Sequence, residues 1–162
     1  MRKITLIILH CSGSRCDRRY TFEQCRHDHI HNNHWDDIGY HYYVELDGTI
    51  HHGRPESIKG AHVKNHNNHS IGVCYEGGLD ANCNPADTRT PEQKASLLSL
   101  LTELHARFPR AIILGHRDLS PDLNGDSKIT PNEFIKQCPC LDAMVEYQGL
   151  QPEGFWEGKA IW

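Results

Sequence analysis

The run Ile4–Leu9 constrains the fold of this chain more than any other feature, because it is apolar, rich in β-branched side chains and free of charge. A short run of this kind predicts a β-strand that is buried on both faces. Such a strand lies inside a sheet and needs other elements packed above and below it. Ser70–Tyr75 and Ala111–Leu114 have a similar character and predict two further core strands.

Helix signals separate these strands. Thr21 and Gln24 form the pattern of a capping box, which predicts a helix over Phe22–His31. Thr90 followed by Pro91 predicts the start of a second helix, whose leucines recur at the spacing of one helical face. We expect that face to pack against the sheet.

The dipeptide Asp47-Gly48 predicts a β-hairpin, since it stands between the strand-like runs Gly39–Leu46 and Thr49–His52. A last short helix is predicted over Leu141–Tyr147. Strands mixed with helices indicate an α/β fold, which we predict to be a single domain with a central mixed β-sheet flanked by helices.

The composition of the chain disfavours several classes of function. The chain has 162 residues, 38 % of them hydrophobic, and a net charge of −4, which indicates a soluble domain and disfavours nucleic-acid binding. Its seven cysteines are odd in number and follow no repeating spacing, so reduced thiols are expected. The N-terminal MRKITLIIL mimics a secretory signal, but its apolar run is short and ends in His-Cys-Ser. We therefore expect synthesis in the cytoplasm without a signal peptide, and no membrane-spanning stretch.

Three residues have the side chains of a zinc site. His10 closes the first strand run, His116 follows the run Ala111–Leu114, and Cys138 comes later in the chain. Two imidazoles and one thiolate leave the fourth position of a zinc ion open to water, which is typical of catalytic sites. The alternative is that they are ordinary surface or buried side chains, as expected for most of the thirteen histidines.

Seven short motifs follow one another in a recognisable order. They are His10-Cys11-Ser12, Gly39-Tyr40-His41-Tyr42, Asp47-Gly48-Thr49, Gly60-Ala61-His62, Asn68-His69-Ser70-Ile71-Gly72-Val73, Gly115-His116-Arg117-Asp118 and Lys136-Gln137-Cys138-Pro139. In this order they resemble the zinc-dependent N-acetylmuramoyl-L-alanine amidases of the phage-lysozyme and peptidoglycan-recognition-protein type, the amidase type 2 family. The resemblance extends over Ile4–Tyr147 and implies a catalytic domain over residues 1–150, followed by a C-terminal tail over residues 151–162.

The resemblance also implies a site and a reaction. His10, His116 and Cys138 would hold one catalytic zinc ion in a cleft at the strand ends, and a zinc-activated water would attack the amide between N-acetylmuramic acid and L-alanine. Tyr40 and Lys136 would serve the catalytic step, as a hydrogen-bond donor and as a positive charge near the oxyanion. From the residues alone, the sequence favours the alternatives that Tyr40 is a core or rim aromatic of the hairpin and that Lys136 is a solvated surface lysine.

His62 falls in a matching segment, and the resemblance implies that it lines the substrate groove, to bind the stem peptide or assist proton transfer. Residues 65–67 either shape the cleft or belong to the surface. Cys11 points to the face opposite His10 and is not expected to bind the same ion. Cys140 is expected at the start of the last helix, while a structural zinc site at Cys138 and Cys140 is the alternative.

An insertion between His116 and Cys138 has the spacing of a calcium loop. The residues in ligand positions are Asp122, Asn124, Asp126, Lys128 through its carbonyl, and Glu133. Ser127 occupies the position that such loops give to glycine, so a bound Ca²⁺ is one interpretation. The other is a polar insertion in which Asp and Asn stabilise turns.

The function predicted from these observations is hydrolysis of peptidoglycan by a monomeric enzyme whose partner is peptidoglycan or a muropeptide. The cellular role stays open between an endolysin that reaches the cell wall after release, an autolysin and a recycling enzyme acting on cytosolic muropeptides. The alternatives are a muropeptide-binding module without catalysis, an inhibitor that docks on another protein, and a zinc hydrolase of another amide. The presence of Cys138 favours catalysis.

Overall fold

The structure is a computed structural model that describes residues 2–157. Within these residues the strands are β1 (Leu6–Cys11), β2 (Ser14–Arg15), β3 (Tyr42–Val44), β4 (Ile50–His52), β5 (Ser70–Tyr75), β6 (Gly78–Leu79) and β7 (Ile112–Gly115). The helices are α1 (Phe22–His31), α2 (Pro91–Arg107) and α3 (Ala143–Glu146). Short 3-10 turns follow β7 and α3 and precede β5.

The main sheet has the strand order β4-β3-β5-β1-β7. Neighbouring strands are parallel from β3 through β7, and only β4 runs antiparallel to its neighbour. The predicted mixed sheet is therefore confirmed. Because β1, β5 and β7 are parallel, their carboxyl ends meet at one edge of the sheet, and that edge carries the candidate site. The short strands β2 and β6 pair separately beside it.

Strand β1 is covered on both faces, as its composition predicts. Ile7 and Leu9 face a cluster that contains the buried leucines of α2, whereas Ile8 faces a second cluster with Leu114. Helix α1 adds Phe22 to a third cluster on β3 and β5. Each buried aliphatic side chain contributes about 1.5–3 kcal/mol, so the strand that carries His10 is held firmly in place.

Both helix starts follow from local capping. Thr21 and Gln24 form the predicted capping box, and α1 begins and ends at the predicted residues. Thr90 and Gln93 form a second capping box, with Pro91 in the first turn of α2. The Gln93 amide also donates to the carbonyl oxygens of Val44 and Glu76, at 3.1 and 2.8 Å, and so ties α2 to the sheet.

Several boundaries differ from the sequence prediction. Strand β1 begins at Leu6 and continues to Cys11, because its backbone pairs with the whole of β5. The hairpin is confirmed, but β3 covers only Tyr42–Val44. The last helix is also shorter than predicted, and α3 covers only Ala143–Glu146.

Residues 151–157 of the predicted C-terminal tail pack against β7. The side-chain amide of Gln151 accepts from Ile113 N at 3.1 Å and donates to Ile113 O at 2.7 Å, which satisfies the open edge of that strand. Phe155 packs on the cluster around Ile8 and Leu114. Residues 158–162 of the tail lie outside the described residues. Within residues 2–157 no helix has the length and apolar character needed to span a membrane.

Candidate metal centre and active-site cleft

The two histidines of the predicted zinc site lie at neighbouring strand ends. His10 belongs to β1, is only 1 % exposed and points away from the face that carries Cys11. His116 directly follows β7 in a short 3-10 turn. Gly115 N donates to the Asp118 carboxylate at 2.7 Å, which closes this turn. The parallel register of β1 and β7 thus brings the two imidazoles to a ring-centroid distance of 4.9 Å.

The loop with Cys138 is held against the same edge by backbone contacts. Cys11 N donates to Cys138 Sγ at 3.3 Å, and Arg117 N donates to Cys138 O at 2.8 Å. Gly115 allows the close approach of the loop, because a Cβ there would lie 2.5 Å from the Pro139 ring. The tertiary structure therefore brings the sulfur of Cys138 close to the imidazoles of His10 and His116.

The three side chains form a group that could hold a metal ion. His10 Nδ1 lies 3.6 Å from Cys138 Sγ, and one ligand atom from each of His10, His116 and Cys138 lies within 4.8 Å of the others. A zinc ion bound at about 2.0–2.1 Å by nitrogen and about 2.3 Å by sulfur requires a nitrogen–sulfur separation of about 3.6 Å. Among residues 2–157 this is the single group of three or more possible ligands.

The environment keeps both imidazoles neutral. Burial lowers the pKa of His10 well below its ordinary value, and the neighbouring histidines and Lys136 lower it further. Burial, aided by the charge of Lys136, lowers the pKa of His116 to about 4. A histidine binds metal through a neutral imidazole, so these two residues are in the ligating form at neutral pH.

Tyr40 and Lys136 both line the cleft beside the metal ligands. The ring of Tyr40 lies 5.1 Å from that of His10, centroid to centroid. Burial raises the pKa of the Tyr40 phenol well above its ordinary value, so the hydroxyl keeps its proton. Tyr40 lies just before β3 rather than on a hairpin strand, and Lys136 is exposed on the loop that carries Cys138.

His62 contacts a metal ligand directly, which the sequence alone does not indicate. Its Nδ1 lies 2.9 Å from His10 Nε2, and its Nε2 lies 3.2 Å from Ser70 Oγ. Burial lowers the pKa of His62 to about 3. Asn67 shapes this part of the cleft by accepting from the His62 and Val63 amides, whereas Asn65 is exposed.

Two further thiols, those of Cys11 and Cys140, lie near the metal group. Cys11 Sγ lies 3.9 Å from Cys140 Sγ on the other side of β1. The contact with Cys138 raises the pKa of Cys11 to about 12, so Cys11 is a neutral thiol. Cys140 contacts Gly78 O at 3.3 Å and precedes the last helix, as predicted. These contacts favour packing over a structural zinc site at Cys138 and Cys140.

The acidic residues of the insertion bind the amides of their own loop. Asp122 accepts from Gly125 N and Ser127 N, at 2.7 and 2.8 Å. Glu133 accepts from three loop amides, and these bonds lower its pKa. Ser127 adopts a φ of +64°, the left-handed conformation for which glycine is favoured. This arrangement matches the turn-forming interpretation, and the calcium interpretation has no support beyond the ligand spacing.

Two neutral imidazoles and a thiol at the carboxyl edge of a sheet, beside a cleft of about 340 Å³, are typical of metal-dependent hydrolases with an open ligand position. The chain belongs to the N-acetylmuramoyl-L-alanine amidase family, whose profile matches residues 1–133. The chain is therefore an amidase of this family. Lys136 and Cys138 lie beyond the matched segment, so their assignment depends on the geometry.

The chain is also similar to individual proteins. It is 52 % identical over 97 residues to an uncharacterized protein of Haemophilus influenzae, a match that covers 60 % of this chain and 84 % of the relative. It is 38 % identical over 134 residues to the endolysin of Enterobacteria phage K11, which covers 83 % of this chain and 79 % of the endolysin. It shares the fold of the endolysin N-acetylmuramoyl-L-alanine amidase LysCS from Clostridium intestinale, with a TM-score of 0.67, 23 % identity and coverage of 91 % and 85 %.

Proposed function

We propose that this protein is a zinc-dependent peptidoglycan amidase that hydrolyses the bond between N-acetylmuramic acid and the L-alanine of the stem peptide. The observation that carries the proposal is the separation of 3.6 Å between His10 Nδ1 and Cys138 Sγ, with His116 beside them. Family membership supplies the reaction class. When bound, a zinc ion with three protein ligands activates a water molecule and polarises a carbonyl group.

Tyr40 and Lys136 act on the substrate carbonyl in this proposal. The phenol of Tyr40 keeps its proton and donates a hydrogen bond to the oxygen that becomes negative in the transition state. Lys136 lies on the loop that carries Cys138. In this proposal its ammonium group stabilises the same negative charge. Both residues line the cleft that holds the ligand group.

The cleft itself suits a peptide that carries a sugar. Its walls combine the metal ligands with Trp35, Leu79 and Pro85. Apolar and aromatic surfaces bind the non-polar faces of such a substrate, and a few polar groups orient it. We expect the enzyme to act as a monomer on peptidoglycan or on a muropeptide, without nucleic acid or membrane as partner.

A binding module without catalysis is the competing function. Cys138 favours hydrolysis, because a module that only binds has no need for a thiolate held at ligand distance from His10. A hydrolase of another amide would share the same metal group. The similarity to a phage endolysin favours a cell-wall substrate, and we propose that the protein is made in the cytoplasm and reaches the wall after release.

The decisive experiment measures zinc content together with peptide release from purified peptidoglycan, before and after treatment with a chelator. We expect about one zinc ion per chain and release that stops when the metal is removed. Cys138→Ser and His116→Ala should lose zinc and activity while staying folded, and Cys16→Ser, at an exposed cysteine, should behave as wild type. Zinc without peptide release would favour the binding module or another amide substrate.

Calcium binding by the Asp122–Glu133 loop stays a separate prediction from the ligand spacing. If the loop binds calcium, millimolar calcium raises the melting temperature of the wild type and leaves that of Glu133→Gln unchanged. Equal melting temperatures with and without calcium would assign these residues to turn formation alone.

A further inference from the structure

We infer that His62 is a positioning residue of the metal centre: it accepts a hydrogen bond from His10 and so holds the His10 imidazole with Nδ1 turned toward the metal. The inference rests on the proposed zinc site. It assigns to His62 a task that differs from contact with the stem peptide, the role expected from the sequence.

The proposed zinc site implies the tautomer of His10. Its Nδ1 faces Cys138 Sγ at 3.6 Å, so this nitrogen must be unprotonated to bind a metal ion. The proton of the neutral ring then resides on Nε2. That nitrogen lies 2.9 Å from His62 Nδ1, which leaves His62 as the acceptor. Metal-binding histidines are commonly oriented by such a partner on the other ring nitrogen.

A second contact links His62 to Ser70. If His62 Nδ1 accepts, the proton of its neutral ring resides on Nε2, which lies 3.2 Å from Ser70 Oγ. Ser70 is the first residue of β5 and pairs with Leu6 of β1. Both ends of the relay His10–His62–Ser70 are therefore anchored in adjacent strands of the central sheet.

The imidazole of His62 lies in a slot made by two glycines. A Cβ at Gly60 would lie 2.4 Å from His62 Cδ2, and a Cβ at Gly72 would lie 2.7 Å from the same atom. The backbone is held as well, since Asn67 Oδ1 accepts from His62 N at 2.9 Å and from Val63 N at 3.0 Å. A side chain with this many constraints has a defined ring orientation, which a positioning role requires.

These contacts also argue against the groove-binding role. Both ring nitrogens of His62 are engaged by protein atoms, so neither is available to a substrate while the relay is intact. The ring of His66, by contrast, lies against that of His69, with a nitrogen–nitrogen distance of 3.4 Å. The structure thus favours His62 as support for a ligand over His62 as a contact to the peptide.

The test is the zinc dissociation constant, measured by competition with a chromogenic chelator, for the purified full chain and its variants. We expect His62→Ala to weaken zinc binding about 10- to 100-fold, as for loss of a partner that orients a ligand. His62→Asn should restore most of the affinity, because its side-chain oxygen can accept from His10 Nε2. His105→Ala, at a partly buried histidine on α2, should retain wild-type affinity.

A second readout needs no metal. Nitrogen NMR of the metal-free protein should show His10 protonated on Nε2 in the wild type and in His62→Asn, and a mixture of tautomers in His62→Ala. Wild-type affinity in a folded His62→Ala would overturn the inference, and so would equal weakening in His62→Ala and His62→Asn. If the wild type did not bind zinc, the proposed function would be contradicted. The tautomer of His10 in the metal-free protein would then show whether His62 orients the His10 ring.

Discussion

The backbone amide of Cys11 lies 3.3 Å from Cys138 Sγ, so the strand that carries one proposed metal ligand also holds another. The two residues are 127 positions apart in the chain. This contact holds the sulfur of Cys138 beside the end of β1. The proposed metal centre therefore depends on how the Cys138 loop lies against β1.

Lys136→Ala should lower kcat about 100- to 1000-fold and leave the zinc content unchanged, because the proposed role of Lys136 is to stabilise charge in the transition state and not to bind the metal. Tyr40→Phe should have an effect of the same kind, since it removes only the hydroxyl. Peptide release under saturating substrate and zinc analysis of the same samples provide the check. Lys128→Ala, at an exposed lysine of the insertion, is the matched control. Loss of zinc from Lys136→Ala would show that its role is misassigned.

Gly115→Ala should weaken zinc binding at least about 10-fold, since the loss of a properly held ligand costs this much. The added methyl group would lie 2.5 Å from Pro139 Cδ and would push the Cys138 loop away from β7. Gly149→Ala is the control, because a Cβ at Gly149 meets no atom within 4 Å. Chelator competition measures both variants. Unaltered affinity in Gly115→Ala would mean that the loop position does not depend on this close approach.

Gln93→Ala should lower the free energy of unfolding by about 1–3 kcal/mol, because it removes the donor to the buried carbonyl of Glu76 and one of the two donors to that of Val44. Gln24→Ala removes the equivalent residue of the other capping box, which is exposed and has no bond to the sheet. We expect that variant to lose only about 0.5–1 kcal/mol. Urea unfolding compares the two, and equal losses would contradict a special contribution from the sheet contacts.

The stability of the metal-free protein should fall below about pH 6.5, in part because of His41. Burial lowers the pKa of His41 to about 4, below its ordinary value of 6.5, and its Nδ1 accepts from Gly72 N at 3.0 Å. Between these two pKa values the unfolded chain binds more protons than the folded chain. Stability is therefore complete above about pH 6.5 and is lost as the pH falls toward 4, by at most about 1.4 kcal/mol per pH unit.

His41→Gln isolates this contribution, because the other buried histidines of the site remain in the variant. Urea unfolding at a series of pH values between 4 and 7 should give a smaller slope of stability against pH for His41→Gln than for the wild type. The variant is compared with its own value at pH 7, which removes the cost of lost packing. Identical slopes would show that His41 does not titrate in this range.

The sequence alone determined those helices and strands that depend on interactions between residues close together in the chain. The capping boxes at Thr21 and Thr90 involve residues three positions apart, so α1 begins and ends at the predicted residues and α2 begins at Pro91 as predicted. The apolar run of β5 was likewise sufficient to predict its limits. The order of the motifs was sufficient to identify the family, and the match to the family over residues 1–133 confirms it.

Only the tertiary structure decided how distant residues meet. Nothing near Cys138 in the chain indicates that its sulfur lies against Cys11 N, and nothing near His62 indicates that its ring contacts His10 rather than solvent. The carboxylates of the Asp122–Glu133 loop have the spacing of calcium ligands, yet they bind the amides of their own loop. The physical reason is that capping and strand propensity act over a few residues, whereas contacts across the sheet edge depend on the parallel register of β1, β5 and β7 and on the packing that maintains it.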